Sequence, residues 1–173
     1  MLRMEDSNII QSTLRQYRAG LNMLRHALEE CPEDLWLSTQ YPNRFWHIAY
    51  HSLFYTHLYV QPSEADFKAW SKHIPDSNYL GPRPWAKNEP FQIPEPYAKP
   101  DVQEYLELCR AEVEKQVPLI RLDEGSGFSW LPFNKLELQF YNIRHLQHHT
   151  GQLIERLRTA AGIGVGWVGS ISA

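Results

Sequence analysis

Cysteine is scarce in this chain. Only Cys31 and Cys109 occur among 173 residues. No disulfide framework is implied, and two free buried thiols in a reducing cytoplasm is the plainer reading. An excess of positive charge is also missing: 17 Lys and Arg stand against 20 Asp and Glu, a formal net charge of −3. Phosphate binding needs clustered basic side chains, so a nucleic-acid partner is not expected. Long apolar runs are lacking too. None approaches the length needed to cross a bilayer. The opening stretch, Met1-Leu2-Arg3-Met4-Glu5-Asp6, has no apolar run of signal-peptide type. What is left is a chain with 43% hydrophobic and 21% charged residues. That composition suits one globular domain spanning the whole sequence around a single core.

Hydrophobic periodicity then predicts an all-α fold. Over residues 7–30, Ile10, Leu14, Tyr17, Leu21, Leu24 and Leu28 recur in steps of four and three, one stripe on a helix. Asp6 or Ser7 is a candidate cap for its start. A second helix is predicted over 43–60, with Asn43 as N-cap and apolar residues on most sides. Eight prolines then fall between Pro62 and Pro100, which excludes continuous helix over most of that stretch. A short helix over 63–73 is compatible with Phe67, Trp70 and Ile74 on one side. The rest reads as an extended crossover, packed onto the helices through Trp70, Tyr79, Trp85, Phe91 and Tyr97. A third helix starts at Asp101, which has capping-box spacing to Glu104, and Pro118 ends or kinks it. A fourth begins near Asn134, with Glu137 three residues on, and stops at Gly162. The glycine-rich tail, 163–173, is expected on the surface with Trp167 as its anchor. Two helices, a long connection and two more helices describe a four-helix bundle with one crossover between helices 2 and 3.

Histidine is the residue type that carries chemistry. There are eight, and five fall in two short clusters. His145 and His149 stand one turn apart on one face of the last helix, a spacing at which two neutral imidazoles can share a metal ion. His148 is rotated away from that pair. His47 and His51 have the same spacing on the second helix. At about 100° per residue, His51 falls with Ile48, Tyr55 and Leu58, an inward-looking set. A buried imidazole there needs a partner, and a metal shared with the last helix supplies one. The ligand set is therefore His51, His145 and His149, with His47 in reserve. His26, His57 and His73 read as surface or packing residues. Three ligands leave a coordination position for water or substrate. Neither cluster carries a His-Glu-x-x-His glutamate as general base, and Glu137 and Glu155 project elsewhere. Tyr55, Tyr141, Gln152 and Arg156 lie near the histidine faces and suit substrate positioning or anion binding. That balance favours activation of a small thiol over hydrolysis by water.

At these residues the chain resembles the DinB-like, or YfiT-like, superfamily of metal-dependent enzymes. The stretch His145-x-x-x-His149-Thr150-Gly151-Gln152 is similar to the family's His-x-x-x-His-Arg-Gly-Gln, with Thr150 in place of the usual arginine. Trp46-His47-Ile48-Ala49-Tyr50-His51 is similar to the helix whose final histidine is the family's first ligand. The resemblance covers nearly the whole chain. It implies a bundle with a three-histidine site for zinc or nickel, frequent homodimers, and transferases or isomerases that use a low-molecular-weight thiol such as bacillithiol or mycothiol. Two other readings compete. One is a non-catalytic dimeric bundle that binds a metal or small ligand. The other is purely structural, with every histidine satisfied in the core or at the surface.

Overall fold

The computed structural model describes residues 4–83 and 85–172. It is helical, with α1 at Met4–Glu30, α2 at Glu33–Trp36, α3 at Phe45–Val60, α4 at Lys99–Gln116 and α5 at Lys135–Ala161. Short 3-10 turns occupy Glu64–Asp66 and Val117–Leu119. Among the described residues the only β pairing is an isolated bridge between Gly125 and Asn134. No helix there is long and apolar enough to cross a membrane. Pro84 and the last residue of the tail lie outside the described set.

The four long helices pack round a closed cycle, because α1 and α3 each lie against both α4 and α5. The stripe on α1 is buried along its length, from Ile10 and Leu14 to Leu24 and Leu28. Helix α3 is buried at every position except His51 and Tyr55, in keeping with its apolar sequence. Both cysteines are free and buried.

Helix boundaries follow local chemistry in some places and tertiary contacts in others. Asn134 caps α5, its Oδ1 accepting from the Glu137 amide at 2.8 Å. Gly162 ends the same helix in the left-handed region at φ 70°. The other expected caps are displaced. Helix α1 already runs at Met4, so Asp6 and Ser7 sit within its first turns. Arg44, not Asn43, precedes α3, its carbonyl accepting the first helical bond from the Ile48 amide at 3.1 Å. Helix α4 starts two residues before Asp101, helped by Pro100 in its first turn. Asp101 and Glu104 do not form a capping box; both accept from Lys72, at 2.8 and 2.6 Å.

The expected helix over 63–73 is only one 3-10 turn, Glu64–Asp66. Extended backbone after it lets Phe67 reach Phe54 and His57 on α3, while Trp70 stacks on Tyr105 of α4 at 4.8 Å. Tertiary contact overrides helical propensity here. The crossover packs down as expected at Trp70 and Tyr97, which are buried. Phe91 stacks on His47, whereas Trp85 stays exposed with its edge on Tyr79. Trp167 does not anchor the tail, being 76% exposed. Ile163, Val165 and Val168 pack on the core instead, and Gln16 holds the Gly169 carbonyl.

One buried cation ties the far end of α3 to the loop before α5. Lys135 Nζ donates to the carbonyls of Gln61, Pro62 and Ser126. Next to it, Gly127 holds φ 83°, and a Cβ there would collide with the Pro62 carbonyl. We expect Gly127→Ala to cost about 2–3 kcal/mol, from the forbidden φ and the collision together. In a chain of this size that lowers the melting temperature by roughly 5–10 °C, measurable by circular dichroism.

His57 gives a second expectation. It is buried, with Nδ1 3.2 Å from the Tyr105 hydroxyl. Burial pushes its pKa down from 6.5 to about 4. Over that window the unfolded chain takes up a proton that the folded chain refuses, so stability falls as pH falls. Replacing His57 with Gln should reduce the slope of unfolding free energy against pH by up to about 1.4 kcal/mol per pH unit. Urea denaturation across the window checks this.

Candidate metal centre

Three imidazoles from two helices converge. His51 comes from α3, and His145 and His149 stand one turn apart on α5. The Nε2 atoms of His51 and His145 are 3.1 Å apart, as are those of His145 and His149. All three ligand atoms lie within 4.8 Å of one another. His51 and His145 are partly buried and His149 fully so.

Hydrogen bonds at the outer nitrogens set which atoms face inward. His51 Nδ1 donates to the Asn78 carbonyl at 2.7 Å. His149 Nδ1 donates to Gln152 Oε1 at 2.8 Å. A carbonyl oxygen cannot donate, so both rings carry their proton on Nδ1 and present a lone pair at Nε2. Burial, followed by repulsion from the neighbouring histidines, pushes His51 down to about 2 and His145 to about 3. Burial lowers His149 as well. The rings are thus neutral at ordinary pH, and those of His51 and His149 both turn a lone pair toward His145 Nε2 at 3.1 Å. A single proton on His145 Nε2 cannot serve both neighbours well. A divalent cation serves all three. Nitrogen ligands about 2.0–2.1 Å from a tetrahedral ion stand about 3.3 Å apart, close to the 3.1 Å that separates His145 Nε2 from each neighbour. The donor set, the tautomers and the separations therefore fit a metal ion.

The structure also separates His51 from His47. Consecutive carbonyls of the crossover, Ser77 and Asn78, receive these two histidines. His47 uses Nε2 for Ser77, at 3.0 Å, and its Nδ1 is buried without a partner. It is clasped between Trp46 and Phe91 and takes no part in the cluster. His51 uses Nδ1, which sends Nε2 toward α5. Within α3, His51 and Tyr55 are the only residues that are not fully buried. The helix opens at the point where its ligand sits.

The other candidates surround this cluster. Tyr55 sets its ring edge-on to His51 at 4.9 Å and to His145 at 5.5 Å. Its hydroxyl accepts from the Asn78 side chain at 3.4 Å, and burial raises its pKa, so it stays an O–H. Tyr141 lies parallel to His145 at 6.5 Å. Arg156 stacks over Tyr41 at 4.0 Å and donates to Asn43. It borders a cleft of about 850 Å³ that also exposes His149 and Gln152. Gln152 acts on His149 first, as the acceptor that fixes its tautomer. Glu155 borders the same cleft, contrary to its expected projection elsewhere, and pairs with Arg158 at 3.4 Å. His148 is exposed and outside the cluster. His73 packs inside, bonded to the Tyr50 hydroxyl at 2.7 Å.

Sequence reasoning missed Asn78 and Tyr41. Asn78 acts on His51 through its backbone carbonyl, which leaves no trace in residue identity. Tyr41 precedes Pro42 and Asn43 in a loop without periodicity. Comparisons with protein-family models, with curated proteins and with solved structures returned no match. The case for the site is its own geometry.

Removing the Gln152 acceptor frees the His149 ring to turn. We expect Gln152→Leu to weaken zinc binding about 10–100-fold without loss of helical content. Competition against a chromophoric chelator measures the first and circular dichroism the second.

Proposed function

We propose that this chain is a metal-dependent enzyme of the DinB-like type, a four-helix bundle with a long crossover, in which His51, His145 and His149 hold one divalent ion. The carrying observation is the convergence of three Nε2 atoms, two of them on rings whose outer nitrogens, those of His51 and His149, are committed to Asn78 and Gln152. Zinc or nickel bound there would act as a Lewis acid that makes a small thiol, or water, nucleophilic near neutral pH. Thiol-dependent transfer is favoured over hydrolysis. The cluster contains no carboxylate, and a thiol needs less help than water to lose its proton.

The surrounding residues have separable tasks. The cleft that reaches the cluster runs beside His149, Gln152 and Arg156, and the rings of Tyr55 and Tyr141 border the histidines. Tyr55 offers a neutral hydroxyl beside the cluster. Arg156, held flat on Tyr41, places a fixed positive charge in the cleft beside His149 and suits an anionic group of a thiol or its partner electrophile. Two copies of the chain working as a homodimer belong to the same proposal.

The missing carboxylate also favours a second reading, a bundle that binds a metal or small ligand without turnover. Protein prepared without a histidine tag should contain about one equivalent of zinc or nickel by elemental analysis, and His149→Ala should lose it. Zinc-loaded protein given a low-molecular-weight thiol and a model electrophile should then turn over, with no turnover in His149→Ala. Metal without turnover supports the binding reading; no metal in the untagged protein ends the enzymatic reading and leaves only a bundle that binds a small ligand.

A further inference from the structure

Tyr55 also lines a second cavity of about 620 Å³, which Arg156 does not border. Seven of its ten lining residues are aromatic, among them Tyr55, Tyr59, Tyr79, Trp85 and Trp130. None is basic, and the one charged lining residue is Glu64. That carboxylate makes no ion pair among the described residues. Its backbone is fixed, with the amide donating to the Gly127 carbonyl at 3.1 Å. The cavity is not remote from the histidines. Tyr55 forms part of its wall and also packs on His51 and His145. Asn78 lines it as well, while its carbonyl holds His51.

Aromatic faces carry negative quadrupole potential, and a cage of them with one carboxylate favours a poorly hydrated cation over an anion or a neutral body of equal shape. Tyr79 and Trp85 meet edge to face at 5.8 Å, and Tyr59 and Tyr55 are tilted together at 5.5 Å, so the rings present faces in different directions. Two of these walls, Tyr79 and Trp85, come from the crossover, and the rest come from α3 and from the segments around Glu64 and Trp130. The lining is therefore assembled by the fold and is not a stripe left over from one helix.

We propose that this cavity binds the ammonium end of an organic cation, of the methylated-amine class, and that the substrate of the histidine site carries such a group. The second part rests on the enzymatic reading above, whereas binding in the cavity needs neither metal nor turnover. Glu64 supplies the countercharge, and Trp85 closes the outer side as an exposed flap of indole.

Calorimetric titration with choline, and with the neutral isostere in which carbon replaces the ammonium nitrogen, tests the cavity directly. Choline should bind about tenfold more tightly than the isostere. Glu64→Gln should weaken choline about five- to tenfold and leave the isostere unchanged, and Trp85→Ala should weaken choline by a similar factor. Both sites are exposed, so neither variant threatens the fold. The proposal is overturned if the isostere binds as tightly as choline, if Glu64→Gln has no effect, or if choline does not bind at millimolar concentration. Running the same titrations on His149→Ala keeps the two ideas apart. Choline binding that survives loss of metal upholds the cavity even if the enzymatic reading fails. Stoichiometric zinc without choline binding ends this proposal alone.

Discussion

The hydrogen bond from His51 Nδ1 to the Asn78 carbonyl, 2.7 Å long, joins the two halves of the molecule that matter most. On one side is a helix buried on nearly every face. On the other is a proline-rich crossover with little regular structure. The bond sets the tautomer of His51, turns its Nε2 toward α5, and brings the Asn78 side chain over Tyr55. Without it the ring has no reason to prefer that orientation, and the cluster of three lone pairs loses a member. The site is thus built as much by the crossover as by the helices that contribute its histidines.

That dependence explains how the crossover can be trusted with such a task. Aromatic stacking supplies the rigidity that backbone hydrogen bonds do not. Tyr97 lies on Tyr50 at 4.4 Å, Trp70 on Tyr105 at 4.8 Å, and Tyr50 itself on Tyr105 at 5.4 Å. The Tyr97 hydroxyl accepts from the Ile74 amide at 2.7 Å, and its carbonyl accepts from Trp36 at 2.9 Å. Ser77 and Asn78 follow a few residues later and inherit a fixed position. Large flat side chains contribute much buried area for little rotamer entropy, which suits a segment whose prolines already restrict its backbone.

The parts of this arrangement visible in the sequence are those governed by a short period. The α1 stripe and the His145/His149 pair need only the helical repeat, and Asn134 with Glu137 needs only one turn. Caps at Asn43 and Asp101 read equally well and fail, the first because α3 begins one residue later and the second because Lys72 takes the Asp101 carboxylate from far along the chain. His47 and His51 share spacing, helix and inward direction. What divides them is which ring nitrogen meets which of two successive carbonyls, a fact of tertiary structure. The aromatic cavity escaped for the same reason, since its walls come from α3, the segment around Glu64, the crossover and the segment around Trp130.

The near-total burial of α3 bears on how the protein fluctuates. Amides of a helix buried at nearly every position exchange with solvent mainly when the whole domain opens. The crossover, held by side chains over an irregular backbone, belongs to the lower end of the same scale. The two flanks of the histidine cluster therefore live on different clocks. The helix therefore keeps the His51 backbone in place, while the orientation of its ring lasts only as long as the crossover that carries the Asn78 carbonyl stays docked.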